Sequence, residues 1–309
     1  MIAIVLAALS GVVWGTGDFA GGKATQRTSS LISTVFSKAA SVPLLLVYLA
    51  VLRMPLRPAT LGWGALAGLF GMMGMIVFYR ALSAGAMSVV APVSAVTSAL
   101  VPLAVGLVIE APPGARALVG VGCAVAAIAM VSMAPREEGS VVTPRLIGLA
   151  LVAGLGFGLF FVGLSRAGVA GGGHAGLWPV LAAQAAALTL GAILLVRRRT
   201  RAAGPRDGAV RGGTVAGAGT GPGTAASKIW IMGRGTWTWI VVAGVFDMTA
   251  NVLYLLAAQR GKLSIVAPIS SLYPVSTVLL AMLVDRERMR PIQLAGLGLA
   301  ATALVLVAS

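Results

Sequence analysis

Few residues in this 309-residue chain can do chemistry: it holds eight Asp and Glu, one His and one Cys. Asp247 is the sharpest candidate. It sits inside a long apolar run, with Asn251 four residues on and Tyr254 seven residues on. In a helix that spacing puts a carboxyl, an amide and a phenol on one face. A carboxylate held there could exchange protons or bind the amine of a solute. The alternative is a structural hydrogen-bonding cluster between helices. Asp18 and Lys38 form a second pair of candidates, near the end of the first apolar run and about two turns into the second. They enter from the same side and could form a salt bridge. Otherwise Asp18 sits at an interface and Lys38 snorkels toward water. The aromatics Trp14, Phe78, Tyr79, Tyr254 and Tyr273 also lie in apolar runs. They could line a cavity and stack on a planar or cationic solute, or they could be packing residues. Pro92 and Pro268 each lie about five residues into a run. Each removes a backbone donor, and they read as a pair of hinges or as simple helix-start prolines.

Other chemistries find no support. Cys123 stands in an apolar run and His174 in a Gly-rich loop. No disulfide framework, cysteine metal site or nucleophile–histidine pair can be built from them. The carboxylates are spread singly apart from Glu137–Glu138 and Asp285/Glu287, so a clustered metal–phosphate site is not expected. No phosphate-binding loop of the G-x-x-x-x-G-K-S/T type occurs. We expect no catalytic residue, no metal and no cofactor, and hence no enzyme.

The elements that must position these residues are membrane helices. The chain is 58% hydrophobic and 10% charged, against about 25% charged in globular proteins. Its mean hydropathy is +0.97. Together these values exclude a soluble domain and a disordered chain. Strands of an outer-membrane barrel alternate polar and apolar residues and would give a much weaker signal. The apolar runs predict ten spans, at 2–20, 31–52, 61–82, 87–109, 115–134, 145–165, 175–196, 236–257, 263–284 and 291–308. A charge at the centre of such a span costs roughly 2.5–3.5 kcal/mol on insertion scales. Asp247 falls about three turns into the eighth, which is why it stands out. The net charge of +15 does not imply a nucleic-acid partner. Eight of the 23 Lys and Arg fall in 197–234, and most others flank apolar runs, as topogenic charges do. Residues 197–235 hold few large apolar residues and are expected to form a disordered Arg/Gly-rich loop.

The chain repeats itself. Shifted by 176 residues, Trp63–Val131 matches Trp239–Val307 at 21 of 69 positions without a gap. SVVAPVS at 88–94 faces SIVAPIS at 264–270, and Gly120 and Gly122 face Gly296 and Gly298. The first span repeats at a shift of 143, with Gly11, Trp14 and Gly15 facing Gly154, Phe157 and Gly158. The two shifts differ by 33 residues, a surplus that fits the Arg/Gly loop as an insertion in the second half. Each half, 1–135 and 145–309, then holds five spans. Five is odd, so the halves must be inverted relative to each other, an architecture common among secondary transporters with a site near the midplane.

These residues resemble the drug/metabolite transporter superfamily in its ten-helix EamA form. Trp14-Gly15-Thr16, Ala91-Pro92, Ala267-Pro268, Ser271-Leu272-Tyr273-Pro274 and Glu287 carry the resemblance, together with the Gly-rich last span of each half. The resemblance implies export or exchange of small organic solutes such as amino acids, metabolites or drugs, by alternating access and with proton coupling as an option. It implies a multi-pass protein of the plasma (inner) membrane, with a small-molecule solute and the bilayer as partners, acting as monomer or homodimer. The sequence departs from the family at Gly17-Asp18-Phe19, where Asn or Ser is usual, and at Ile109-Glu110, where Gly-Glu is usual. A lipid or isoprenoid-carrier flippase is the alternative, and an intramembrane transferase ranks behind it. Charge counting favours both termini outside, whereas the resemblance implies both cytoplasmic.

Overall fold

A computed structural model describes residues 1–52, 56–83, 87–133, 143–172, 175–202, 233–285 and 290–308. All regular structure among them is helical. The helices are α1 (Ile2–Thr25), α2 (Ser30–Leu52), α3 (Pro58–Ser83), α4 (Met87–Ile109), α5 (Ala115–Val131) and α6 (Pro144–Ala170). They continue as α7 (Trp178–Ala202), α8 (Arg234–Ala258), α9 (Leu263–Ser270), α10 (Tyr273–Asp285) and α11 (Pro291–Ala308). Among the described residues nine segments are long and apolar enough to cross a bilayer, with Leu263–Val284 counted as one. Helix α5, at 17 residues, sits at the short end of what can span. The apolar side chains left exposed mark the lipid face: Val5, Leu9 and Val12 of α1 recur at helical spacing and are all open.

Local signals explain several ends. Thr143 caps α6, its Oγ1 accepting from the Leu146 N–H at 3.3 Å, and Pro144 occupies the first helical position, where no donor is lost. The loop expected over 197–235 is shorter at both ends. Helix α7 runs on through Arg197–Arg201 to Ala202, and α8 begins at Arg234. Arginine is a good helix former, and cations at a helix C-terminus are favoured by the dipole. The remainder of that loop, like His174 between α6 and α7, lies outside the described residues.

The ninth predicted span is not one helix. It breaks at Ser271–Leu272 into α9 and α10. Pro274 explains the break: it lacks the N–H that would bond the Ser270 carbonyl, and its ring crowds that same carbonyl. The repeat mate of Pro274 is Ser98, and α4 passes through it unbroken. Pro268, expected as a hinge, lies within α9, and Pro92 lies within the continuous α4.

The two halves interleave instead of sitting side by side. Helix α1 packs along α8 of the other half, and its mate α6 packs along α3. Helix α2 meets α8 as α7 meets α3, and α5 meets α11. A pseudo-two-fold shows in reciprocal contacts. A Cβ added at Gly120 would lie 2.7 Å from Val307, and one at Gly296 would lie 2.8 Å from Val131. Those four residues are two repeat pairs, so each contact is the image of the other. Small residues let the backbones approach this closely without a hydrophobic driving force between helices.

Candidate functional site

Helix α1 reaches the centre on a glycine face. Gly11 and Gly15 leave room for the break between α9 and α10. A Cβ at Gly15 would collide with Ser276 Oγ and the Tyr273 carbonyl, and one at Gly11 would lie 3.0 Å from the Ser270 carbonyl. Hydroxyls stitch this seam. Ser10 Oγ meets Ser270 Oγ at 2.8 Å, Ser276 Oγ donates to the Gly11 carbonyl at 3.2 Å, and Thr277 Oγ1 donates to the Gly15 carbonyl at 3.0 Å. One turn beyond this seam, α1 presents Asp18.

Asp18, Lys38 and Asp247 converge there from α1, α2 and α8. The ion pair that forms is Lys38 with Asp247, Nζ to Oδ2 at 3.3 Å. It is not the Asp18–Lys38 pair that the sequence suggested. Helix α1 packs against α8 along much of its length and touches α2 only slightly, so α8 offers Lys38 its partner. Asp18 stays within electrostatic range of both other charges. Among the described residues its carboxylate has no hydrogen bond or ion pair of its own. It is nevertheless exposed, on the side of α1 away from the open Val5, Leu9 and Val12. The Lys38 and Asp247 side chains are 17% and 27% exposed.

Lys38 is braced from α7. Gln184, buried among the helices, donates through Nε2 to the Lys38 carbonyl at 2.6 Å and to Ser41 Oγ at 2.7 Å. Sequence reasoning missed Gln184. A lone amide in the apolar run of α7 was the available signal.

The expected carboxyl–amide–phenol face of α8 divides in two. Asp247 faces Lys38. Asn251, 6% exposed, turns its Nδ2 back to the Asp247 carbonyl at 2.6 Å. Tyr254 is fully buried, and its hydroxyl donates to the Phe161 carbonyl at 2.9 Å. Trp14 packs in the same aromatic cluster, 5.3 Å from the Phe161 ring and 5.7 Å from the Tyr254 ring, centroid to centroid. The cluster closes the core on one side of the charges instead of lining open space. Tyr273 is half-buried and lies beside Ser98 and within range of Asp18. The side chain of Tyr79 lies outside the described residues, although its backbone belongs to α3. Among the described residues no cluster of His, Cys, Asp and Glu could hold a metal ion.

Two interleaved inverted repeats around a charged centre are an architecture common among secondary transporters. The EamA-like transporter family pattern matches residues 1–133 and again 177–309, and the chain belongs to that family. Its members are membrane transporters of the drug/metabolite type. In fold the chain is similar to a solved structure titled "Crystal structure of protein", 14% identical, with a TM-score of 0.70 over 99% of this chain and 98% of the other. No curated protein matches it by sequence.

Proposed function

We propose that this protein is a secondary transporter of small organic solutes, working by alternating access, and that Asp247, Lys38 and Asp18 form its charge-handling centre. The observation that carries the reading is the stoichiometry of that centre. Two carboxylates share one ammonium, so with all three charged the cleft has one negative charge in excess. A proton or the amine of a solute can supply the missing positive charge. Either one competes with Lys38 for a carboxylate, and that competition couples occupancy to rearrangement of α1, α2 and α8. Export driven by inward proton flow follows if the proton and the solute amine alternate at the carboxylates.

The test is a panel of amines, amino acids and neutral metabolites in proteoliposomes, with and without an imposed pH gradient. Asp247→Asn should leave expression and membrane insertion intact and lower coupled uptake at least about tenfold, the effect of losing about 1.4 kcal/mol of differential binding. Normal transport with an unchanged response to the gradient would remove Asp247 from the mechanism.

A further inference from the structure

The repeat allows the two membrane faces to be compared residue by residue, because mates lie on opposite sides. On the face where the chain begins, the C-terminal end of α4 meets the N-terminal end of α9. Glu110 Oε1 accepts from the Leu263 N–H at 3.0 Å, and Oε2 accepts from the Ser264 N–H and the Ser264 hydroxyl, each at 3.4 Å. A carboxylate from one half thus caps a helix of the other, where free N–H groups and the dipole both favour an anion. Lys262 fastens the same corner, its Nζ donating to the Ala111 and Pro112 carbonyls at 2.9 and 3.3 Å. The backbones nearly touch: a Cβ added at Gly106 would lie 2.6 Å from the Ser264 nitrogen.

The gapless pairing of the two halves does not carry the same residues to the opposite face. The mate of Glu110 is Arg286, and the mate of Gly106 is Met282. A guanidinium has no lone pair to accept from helix N–H groups, and a methionine side chain forbids that backbone approach. Burial follows the same asymmetry. In α9, Ala267, Pro268 and Ile269 are buried, while their mates Ala91, Pro92 and Val93 in α4 are only half-buried. Asp18, two-thirds of the way along α1 toward the opposite face, is exposed, whereas Ser10, nearer the first face, is fully buried.

We propose that Glu110 is the latch of a gate: it holds the cleft shut at the N-terminal face, and in this conformer the charged centre opens only to the opposite face. This rests on the alternating-access reading above, yet its test needs no solute.

The test is cysteine accessibility in the full-length protein in liposomes, in a Cys123→Ala background, with a membrane-impermeant maleimide. A reporter at Ser10→Cys should label slowly from either side, and one at Asp18→Cys should label readily from the face opposite the N-terminus only. Adding Glu110→Gln, which removes the charge and turns one of the two accepting oxygens into a donor NH2, should raise labelling at position 10 from the N-terminal face about tenfold. Adding Gly106→Ala, which wedges the same contact while keeping Glu110, should raise it in the same direction. A protein in which both variants insert normally and leave position 10 as protected as before refutes the latch. Failure of every solute in the transport panel, with the labelling shift intact, would instead reject the transport reading and leave the latch standing.

Discussion

Helices α4 and α9–α10 descend from the same repeat unit and do opposite things. Helix α4 crosses as one piece in spite of Pro92 and Pro102, while its mate breaks at Ser271–Leu272. Each is contacted by the first helix of the other half, yet the contacts differ in kind. Gly154 and Gly158 of α6 lie against Ser94, Thr97 and Val101 of α4, and there the Ser94 and Thr97 hydroxyls bond back to carbonyls of α4 itself. Gly11 and Gly15 of α1 lie against Ser270, Ser276 and Thr277, with hydroxyls bonded to carbonyls across the seam. On the broken side the hydroxyls reach carbonyls of α1. The charged centre lies next to the broken seam and not next to the continuous one. One pseudo-symmetric scaffold can therefore keep two similar conformations accessible while placing its chemistry asymmetrically.

Glycine substitution should break the comparison most violently. Gly15→Leu drives a side chain into the space of Ser276 and the Tyr273 backbone, which no rotamer change can clear. Overpacking of this kind exceeds the usual cost of about 1–3 kcal/mol. Little folded protein should survive size-exclusion chromatography. Gly22→Ala on the same helix meets nothing within 4 Å and should behave as the parent.

Proline exchange comes next. Ser98→Pro would introduce into α4 the break that Pro274 makes in its mate, at about 3 kcal/mol for an interior proline, and the melting temperature should fall clearly. Pro274→Ala should do the reverse. It returns the missing N–H, lets α9 and α10 join, and should raise or preserve the melting temperature while slowing transport. If Pro274→Ala transports at the parental rate, the break is decoration and not part of the moving parts.

The smallest effect is expected at Tyr254. Tyr254→Phe removes one buried hydrogen bond to the Phe161 carbonyl, typically about 1 kcal/mol. It should lower stability modestly and leave solute selectivity alone. A change in selectivity would return Tyr254 to the cleft.

Much of this architecture is legible in the chain. Long apolar runs are forced into helices because lipid offers no partner for backbone polar groups, and a gapless self-match over 69 positions at a shift of 176 residues dictates the inverted halves. The candidates Asp18, Lys38 and Asp247 stood out because an ionisable group in an apolar run is costly and therefore rare. Their partnership was not legible. A shared end of the membrane suggested Asp18 with Lys38, but pairing depends on which helices pack, and α1 lies along α8. The 3.6-residue period put Asn251 and Tyr254 on the face of Asp247. It could not say that the amide would fold back on its own helix or that the phenol would find a carbonyl of α6. Gln184 was overlooked because one amide in a run has no spacing to betray it.

The sequence by itself determined that this protein spans a membrane, that it is two inverted copies of one unit, and which few charges lie inside. Local hydropathy and self-similarity are one-dimensional properties and need no fold to be read. Only the tertiary structure decided that Lys38 pairs with Asp247 and not with Asp18, and that Glu110 caps a helix of the opposite half. Those outcomes hang on distances between segments roughly 150 to 260 residues apart, and such distances are set by packing.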